Sequence, residues 1–590
     1  MSTNRADEKG YFIPLNKAEE LLQKEIREQY DARLFQVMLD KLLIVTIREG
    51  NERYLWADEL RICRYLLELN NKMDNAVVGT LSCNESFLVN TIKISNETVL
   101  IYEMCDYKKT VPAYVRNIIY LSRVGTVEKC AETKFELLGI SIVTTDKRVR
   151  DYIENVAYRK YKLDCIKGSN FANSSSYMGS KKKLAGFIVE AMILHCGENS
   201  VFLDIMCGSG AVSNALAQMG TTYALDAQEF CILLAKIQGA GFSVERAHKI
   251  IKEAYIAYSD NLELLQKEFS NELSVEDEIF RMDLRNKKEV FDRYYAFCNS
   301  FELYSSNNPC SARIYQTIEP RKRNPNKKPY CLFTCYYANI FFGVAQCIQL
   351  DSIRYAIDQI RDKDDREWAL GVLVVVTSAV ATTYGGHFAQ PKRLDMESME
   401  KILIQRSKSA WLEFSRRLIA IAEESERCSN RINIIKGPWE NALTQMRNIN
   451  QMVVYLDAPY KREEYSRYYH VLETMVKYDY PSSEYKGRMR SKKLGERFRT
   501  EFFSKTSEKI EAAFEKLINT ILDKKAICVW SYSDNGAVSL MNVVRRIREK
   551  RECNIYFYSI PYQHLIQGKK VRKGNTRIPV TEYCIVFVEE

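Results

Sequence analysis

In its last quarter the chain carries Met452-Val453-Val454-Tyr455-Leu456-Asp457-Ala458-Pro459-Tyr460, and no other stretch restricts the fold as tightly. An apolar run too short for a buried helix ends in an acid, a small residue, a proline and an aromatic. A run closed by turn residues in this way reads as a buried strand. In open α/β sheets, ligands bind at the carboxyl ends of the strands. The stretch therefore brings a carboxylate, main-chain carbonyls and a flat ring to such an edge, which suits a planar, weakly nucleophilic amino group. Pro459 fixes its own φ and biases Ala458 towards extended backbone. The plainer alternative is a strand followed by an Asp-initiated turn.

Two further pieces lie upstream. Val201 to Cys207 reads as a strand, and Gly208-Ser209-Gly210 turns it into a helix from Ala211 to Met219. Glycines at such a turn let the backbone approach a ligand closely. A dinucleotide fingerprint would place a third glycine at 213, where this chain has Ser213, so redox chemistry on a dinucleotide is the weaker reading. Thr222 to Leu225 is the next strand, and Asp226 at its end is placed to accept from ribose hydroxyls. An acid about 20 residues beyond the glycine turn suits any adenosine-type cofactor. Before these comes Tyr177-Met178-Gly179-Ser180-Lys181, opening a helix from Lys182 to about His195.

In this order the pieces resemble the DNA adenine-N6 methyltransferases of the D12 class, whose signature tetrad is Asp-Pro-Pro-Tyr. Tyr468 to Thr474 and Ser531 to Gly536 add to the likeness, which runs from about residue 166 to the end of the sequence. The fold implied is α/β: a class-I S-adenosylmethionine-dependent methyltransferase sheet with a terminal antiparallel hairpin. An inserted helical recognition domain and an α+β N-terminal extension complete it. The resemblance implies Asp457, Ala458, Pro459 and Tyr460 as the catalytic tetrad. Asp457 and the Ala458 carbonyl would accept from the adenine amine, and Tyr460 would stack on the base. It implies Tyr177, Lys181, Asp204, Gly208, Gly210, Asp226 and Asp457 as contacts of S-adenosyl-L-methionine, with no metal. The target base would have to leave the duplex stack. Two departures stand out. Alanine replaces the first proline of the tetrad. Gly437-Pro438-Trp439-Glu440 replaces the acid that many relatives carry just after the third strand.

The expected partition is 1–165 as an extension of unassigned role, 166–242 as the first part of the methyltransferase domain, 243–430 as the target-recognition insertion, and 431–590 as the second part. In the extension, helices are expected over Ala18 to Tyr30, Ala32 to Val45 and Ala57 to Leu69, and strands over Ser86 to Ile94 and Glu97 to Glu103. Ala131 to Ser141 followed by Val149 to Ile153 carries a faint helix-turn-helix pattern, one route to DNA binding for this part. Ser169 to Ser176 reads as a linker.

Of 590 residues, 46% are hydrophobic and 27% charged, which gives ample core for several domains. The 17 cysteines are scattered without paired CxxC motifs, pointing to a reducing cytoplasmic compartment and no structural zinc; Cys331 and Cys335 read as core thiols. The run Leu370 to Tyr384 reads as a buried helix rather than a membrane span, and Met1 to Gly10 has no apolar secretion core.

A net charge of +10 permits nucleic-acid binding without requiring it. Three basic segments are the candidate DNA contacts. Arg321, Arg323 and Lys327 lie among Pro320, Pro325 and Pro329, a spacing that reads as an ordered loop rather than a helix. Arg488, Arg490, Lys492 and Lys493 follow the tetrad, and Lys569, Lys570 and Arg572 lie between the last two strands. His387, after a glycine pair, reads equally as a DNA contact or a structural turn residue. The expected partners are double-stranded DNA and a cognate restriction nuclease or other defence component, with no membrane. A catalytically weak DNA-binding relative and an amino-methyltransferase acting on RNA stay open as rival readings.

Overall fold

The computed structural model describes residues 11–40, 43–72, 88–95, 98–104, 110–123, 128–137, 140–165, 180–197, 199–300, 309–446, 449, 451–458, 465–484, 489–491, 494–497, 500–504, 506–565 and 577–589. Seven strands build the central sheet: β1 (Val201–Asp204), β2 (Thr222–Leu225), β3 (Ile432–Ile435), β4 (Met452–Leu456), β5 (Ile527–Ser533), β6 (Cys553–Leu565) and β7 (Arg577–Glu589). Their spatial order is β3-β2-β1-β4-β5-β7-β6. The five from β3 to β5 run parallel, while β7 enters antiparallel between β5 and β6. This mostly parallel order is consistent with the class-I methyltransferase sheet expected from the sequence, and its last two strands form the expected terminal hairpin. Strand order reverses between β1 and β4, so a crevice opens beyond their carboxyl ends. All five residues of β4 are buried, as a central parallel strand covered on both faces requires.

One face of the sheet is covered by helices α1 (Ala185–Ile193) and α2 (Ala211–Met219) and by the N-terminal elements. Leu22, Phe35, Leu66 and Ile118 share a core with Phe202, Val453 and Val529 of the sheet. The N-terminal helices Leu15–Ile26, Ala32–Asp40 and Ala57–Lys72 follow the amphipathic spacing of the sequence, as do the strands Leu88–Ser95 and Thr98–Met104. Buried Arg116 ties this layer to the hairpin. It pairs with Glu59 at 3.1 Å and donates to the Phe557 carbonyl at 2.8 Å. The opposite face of the sheet packs on helices Ser507–Leu522 and Leu540–Lys550.

The helix-turn-helix expectation fails. Lys129–Leu137 and Ile140–Asp146 are antiparallel strands, with Phe135 opposite Ile142 and Leu137 opposite Ile140. Burial alternates strictly along Ile140 to Asp146, and its β-branched residues fit a half-buried strand better than a recognition helix. The Leu138-Gly139 step and the 169–176 linker reading lie outside the described residues.

Between β2 and β3 the chain is mainly helical, from Val244–Glu268 to Ala410–Ser425, with a short hairpin of Thr383–Tyr384 and His387–Pro391. Helix α3 (Glu229–Lys236), at the end of β2, joins its core. Lys363–Val380 is a buried helix, as expected of that apolar run. A second correction falls here. Arg321 to Arg323 form the last turn of a helix, Pro309–Arg323, that runs through Pro320. Pro320 has no N–H to bond four residues back, so the last turn runs with one rung missing and the helix ends three residues later. Among the described residues, no helix is long and apolar enough to cross a membrane.

Candidate active site

Beyond the carboxyl ends of β1, β2 and β4 lies a cavity of about 370 Å³. Its floor is the turn after β1, where Gly208 and Gly210 adopt left-handed φ values of 50° and 77°. At Gly210 a Cβ would come within 2.6 Å of the Ala235 Cα, so only glycine lets α2 pack against α3. Asp226 holds this turn from β2. Its two oxygens accept from the Gly208 N–H at 3.0 Å and the Gln228 N–H at 2.9 Å. Ser209 Oγ lies 3.2 Å from Ser180 Oγ, which links the glycine turn to the lysine loop.

Three aspartates stand at the strand ends of the cavity, and burial raises the pKa of each. Asp204, the last residue of β1, is pushed up to about 7 by burial, against the opposing bond from Ser213 Oγ at 2.5 Å. Its Oδ1 is buried without a hydrogen bond. Asp226 is raised to about 6 by burial, opposed by its two backbone donors. Asp457, just past β4, is also raised to about 6 by burial, although the Lys181 ammonium lies 3.5 Å from its Oδ1 and pulls the other way.

Lys181 is itself 4% exposed and has a second carboxylate partner, Glu582 of β7, at 3.2 Å. On the far side of Glu582, His564 Nε2 sits 2.6 Å from its Oε1. Burial works to raise the Glu582 pKa, but Lys181 and His564 together hold it below the ordinary carboxylate range.

The other end of the cavity is aromatic and more open. Pro438 and Trp439 arrive from the loop after β3, and Thr500, Glu501 and Phe502 from the segment before the helix Ser507–Leu522. Trp439 Nε1 donates to Glu501 at 3.2 Å, and the Lys516 ammonium lies over the indole ring, 5.0 Å from its centroid. Tyr465 lines the cavity near Ala458, which is fully buried.

Of the residues singled out in the sequence, Lys181, Asp204, Gly208, Asp226, Asp457 and Ala458 line this one cavity, and Gly210 shapes its floor. Tyr177, Pro459 and Tyr460 lie outside the described residues, as do Arg488, Lys492, Lys493, Lys569, Lys570 and Arg572. Two basic candidates turn inwards and leave the list of expected DNA contacts. Arg321 is buried and donates to the carbonyls of Thr317 at 2.8 Å and Pro329 at 3.0 Å, fixing the loop after its helix. Arg490 is buried against Asp479. Arg323 and Lys327 stay exposed. His387 is half-buried with its ring against Tyr468, centroids 4.8 Å apart. Sequence reasoning missed Glu582, His564, Glu501, Phe502 and Tyr465, and it noted Trp439 only as an absent acid. Tyr465, Glu501, Phe502 and Trp439 line the cavity, while Glu582 and His564 stand behind Lys181, and no local spacing betrays any of them.

With the site laid out, comparison with known proteins becomes informative. Residues 177–328 match the family model of the D12 class N6 adenine-specific DNA methyltransferases. Over that stretch the chain is similar to the adenine methylases of the D12 class. The matched stretch takes in the lysine loop, the glycine turn and Asp226, while the tetrad at 457–460 lies beyond it. The chain is also similar to Modification methylase LlaI of Lactococcus lactis subsp. lactis, with 23% identity over 375 residues, which is 62% of this chain. It spans only 47% of that relative's length, about half.

Proposed function

We propose that this chain transfers a methyl group from S-adenosylmethionine to N6 of adenine in duplex DNA, in a restriction-modification or phage-defence setting. The observation that carries the reading is the meeting of Asp457, Lys181, Asp204 and the glycine turn in one cavity at the switch point of a methyltransferase sheet.

The donor set fits the cofactor. S-adenosylmethionine supplies a cationic sulfonium methyl and carries an ammonium as well. The cavity offers three buried carboxylates, and one of them, Asp204, has an oxygen still without a hydrogen bond. Leu225, Pro438, Trp439 and Phe502 give apolar and aromatic walls for a purine ring. Lys181, Asp204, the turn at Gly208 and Gly210, and Asp226 would hold the methionine and ribose parts. The volume is within the range of small-molecule pockets, roughly 300–1,000 Å³.

At the reacting end, Asp457 accepts from one N–H of the adenine amine and the Ala458 carbonyl from the other. Two acceptors oppose the drift of the nitrogen lone pair into the ring and fix the amine in line for attack. S-adenosylmethionine, when bound, would supply the methyl group, and the surplus proton of the methylated amine would be taken by Asp457 or by water. A carboxylate raised to about 6 is better matched to that proton than an ordinary aspartate. Tyr460 would stack on the flipped base, and Arg323 and Lys327, with the basic stretches near 488–493 and 569–572, would meet phosphates.

The test is methyl transfer from labelled S-adenosylmethionine to duplex DNA, with nucleosides analysed by mass spectrometry. N6-methyladenine formed by the wild type and not by Asp457→Ala is the expected result. Duplex binding without methylation would leave a DNA-binding module, and preference for RNA would move the substrate.

A further inference from the structure

We propose that Glu582 and His564 are positioning residues for methyl transfer. Glu582 takes half of the Lys181 ammonium's attention and His564 steadies Glu582, so that Asp457 stays a strong acceptor aimed at the target amine. The inference rests on the methyltransferase reading of the cavity, but it concerns groups outside the tetrad and outside the cofactor motifs.

Geometry carries it. Lys181 lies between two carboxylates, 3.5 Å from Asp457 and 3.2 Å from Glu582. All three are shielded, with side-chain exposures of 4% for Lys181, 17% for Asp457 and 1% for Glu582. The line continues to His564, 2.6 Å from the other Glu582 oxygen and 13% exposed. Pairing explains where Glu582 sits. It lies opposite Ser533 at the end of β5 and opposite Ile560 on β6, at the same end of the sheet as the catalytic acid.

A lysine paired with Asp457 alone would neutralise the carboxylate that must accept from the substrate. It would also draw that carboxylate towards itself. A second buried carboxylate divides the ammonium's donors and restores negative charge at the site. It is too well buried to be a surface accident, since a carboxylate left there without its partners would be strongly disfavoured. Among the described residues, three charged groups face Asp457: Lys181 from the loop before α1, Glu582 from β7 and Asp204 from β1. Lys181 lowers its pKa, while Glu582 raises it.

The experiment compares Glu582→Gln, His564→Gln and His564→Ala with the wild-type full-length protein. Single-turnover methylation of duplex DNA is followed across pH, with cofactor affinity measured by calorimetry. Glu582→Gln keeps shape and removes charge. Its rate should fall about ten- to a hundredfold, as expected for losing one charge-assisted contact. Cofactor affinity should change little, and the acid limb of the pH profile should move to lower pH because the like charge beside Asp457 is gone. His564→Gln keeps a donor for Glu582 and should retain most of the rate, whereas His564→Ala should not. Glu582→Gln with the wild-type rate and acid limb overturns the proposal. Should that variant fail to fold, equal rates for His564→Gln and His564→Ala overturn it instead. Carbon-13 NMR of aspartate-labelled protein, with Asp457→Asn assigning the resonance, reads the Asp457 titration without any turnover. A wild type that methylates no adenine therefore sinks the proposed function, while an Asp457 titration unmoved by Glu582→Gln sinks this inference separately.

Discussion

The two ends of the cavity are built on opposite plans. At the Asp457 end, charges sit on the last residues of buried parallel strands and are held by one another. At the Trp439 end, the walls come from a helix start and from loops, with Phe502 buried and Trp439 half-buried, and are pinned by an indole hydrogen bond and a cation over a ring. Strand ends are rigid, and desolvation there shifts ionisation by units of pKa. Loop walls supply contact area and tolerate replacement. On the proposed function, the difference teaches that chemistry is placed on the sheet, while recognition of the cofactor's flat end would fall to whatever segments reach it.

The sharpest way to break this contrast is a pair of substitutions. Asp457→Ala should abolish methyl transfer, with single-turnover rates down at least about a thousandfold, since both acceptor strength and orientation are lost. The protein should stay folded by circular dichroism. Near-normal turnover would remove Asp457 from the chemistry. Trp439→Ala should act differently. It should weaken cofactor binding about ten- to a hundredfold, the cost of losing a half-buried aromatic wall, while saturated turnover stays close to wild type. If Trp439→Ala instead lowers turnover and leaves binding alone, the two ends do not divide the labour in this way.

A pH experiment sharpens the comparison without mutation. Burial lifts Asp204 to about 7, and Asp226 and Asp457 to about 6, against about 4 for an ordinary aspartate. A folded-state pKa above the unfolded one means that the native protein binds more protons in between. These groups therefore cost stability progressively as pH rises from about 4 to about 7, and the full cost is present above that window. A cationic ligand among them favours the charged forms and expels those protons. Calorimetry in buffers of different ionisation enthalpy should show proton release on S-adenosylmethionine binding near pH 6, fading by pH 8. No release at pH 6 would mean that the cation does not approach these carboxylates.

What could be read from the chain follows the same division. β1, β2 and β4 announce themselves as apolar runs, and Gly208, Gly210, Asp226 and Asp457 lie within a few residues of those strand ends, so local pattern and three-dimensional position coincide. Glu582 sits on β7 more than a hundred residues past Asp457, and only the antiparallel insertion of β7 beside β5 brings it to Lys181. Phe502 and Glu501 come from a stretch with no periodic signal at all. Charge runs misled where side chains turned inwards. Arg321 and Arg490 look no different in sequence from the basic residues around them, yet one is spent on carbonyls and the other on Asp479. Residues 131–141 misled because Ala131 and Glu132 favour a helix, while the β-branched run after Gly139 decided for a hairpin.

The smallest expected effect concerns the one residue that departs from the family tetrad. Ala458→Pro should change single-turnover methylation by roughly tenfold or less. The acceptor that this position would offer is a main-chain carbonyl, which alanine supplies as well as proline does. Pro459 already biases Ala458 to extended backbone, so the rigidity forgone by alanine is below the ~1–2 kcal/mol of fixing one free residue. The burial of Ala458 adds a constraint that sequence did not reveal. A pyrrolidine ring brings extra carbons into a packed site, and overpacking costs typically about 1–3 kcal/mol. Rate and stability should then part company: turnover level or modestly higher, with a midpoint of thermal unfolding level or lower. A wild type without detectable turnover, rescued by the proline, would show alanine to be a disabling change at the charged end of the cavity, and the strand-end plan would there be scaffold without chemistry.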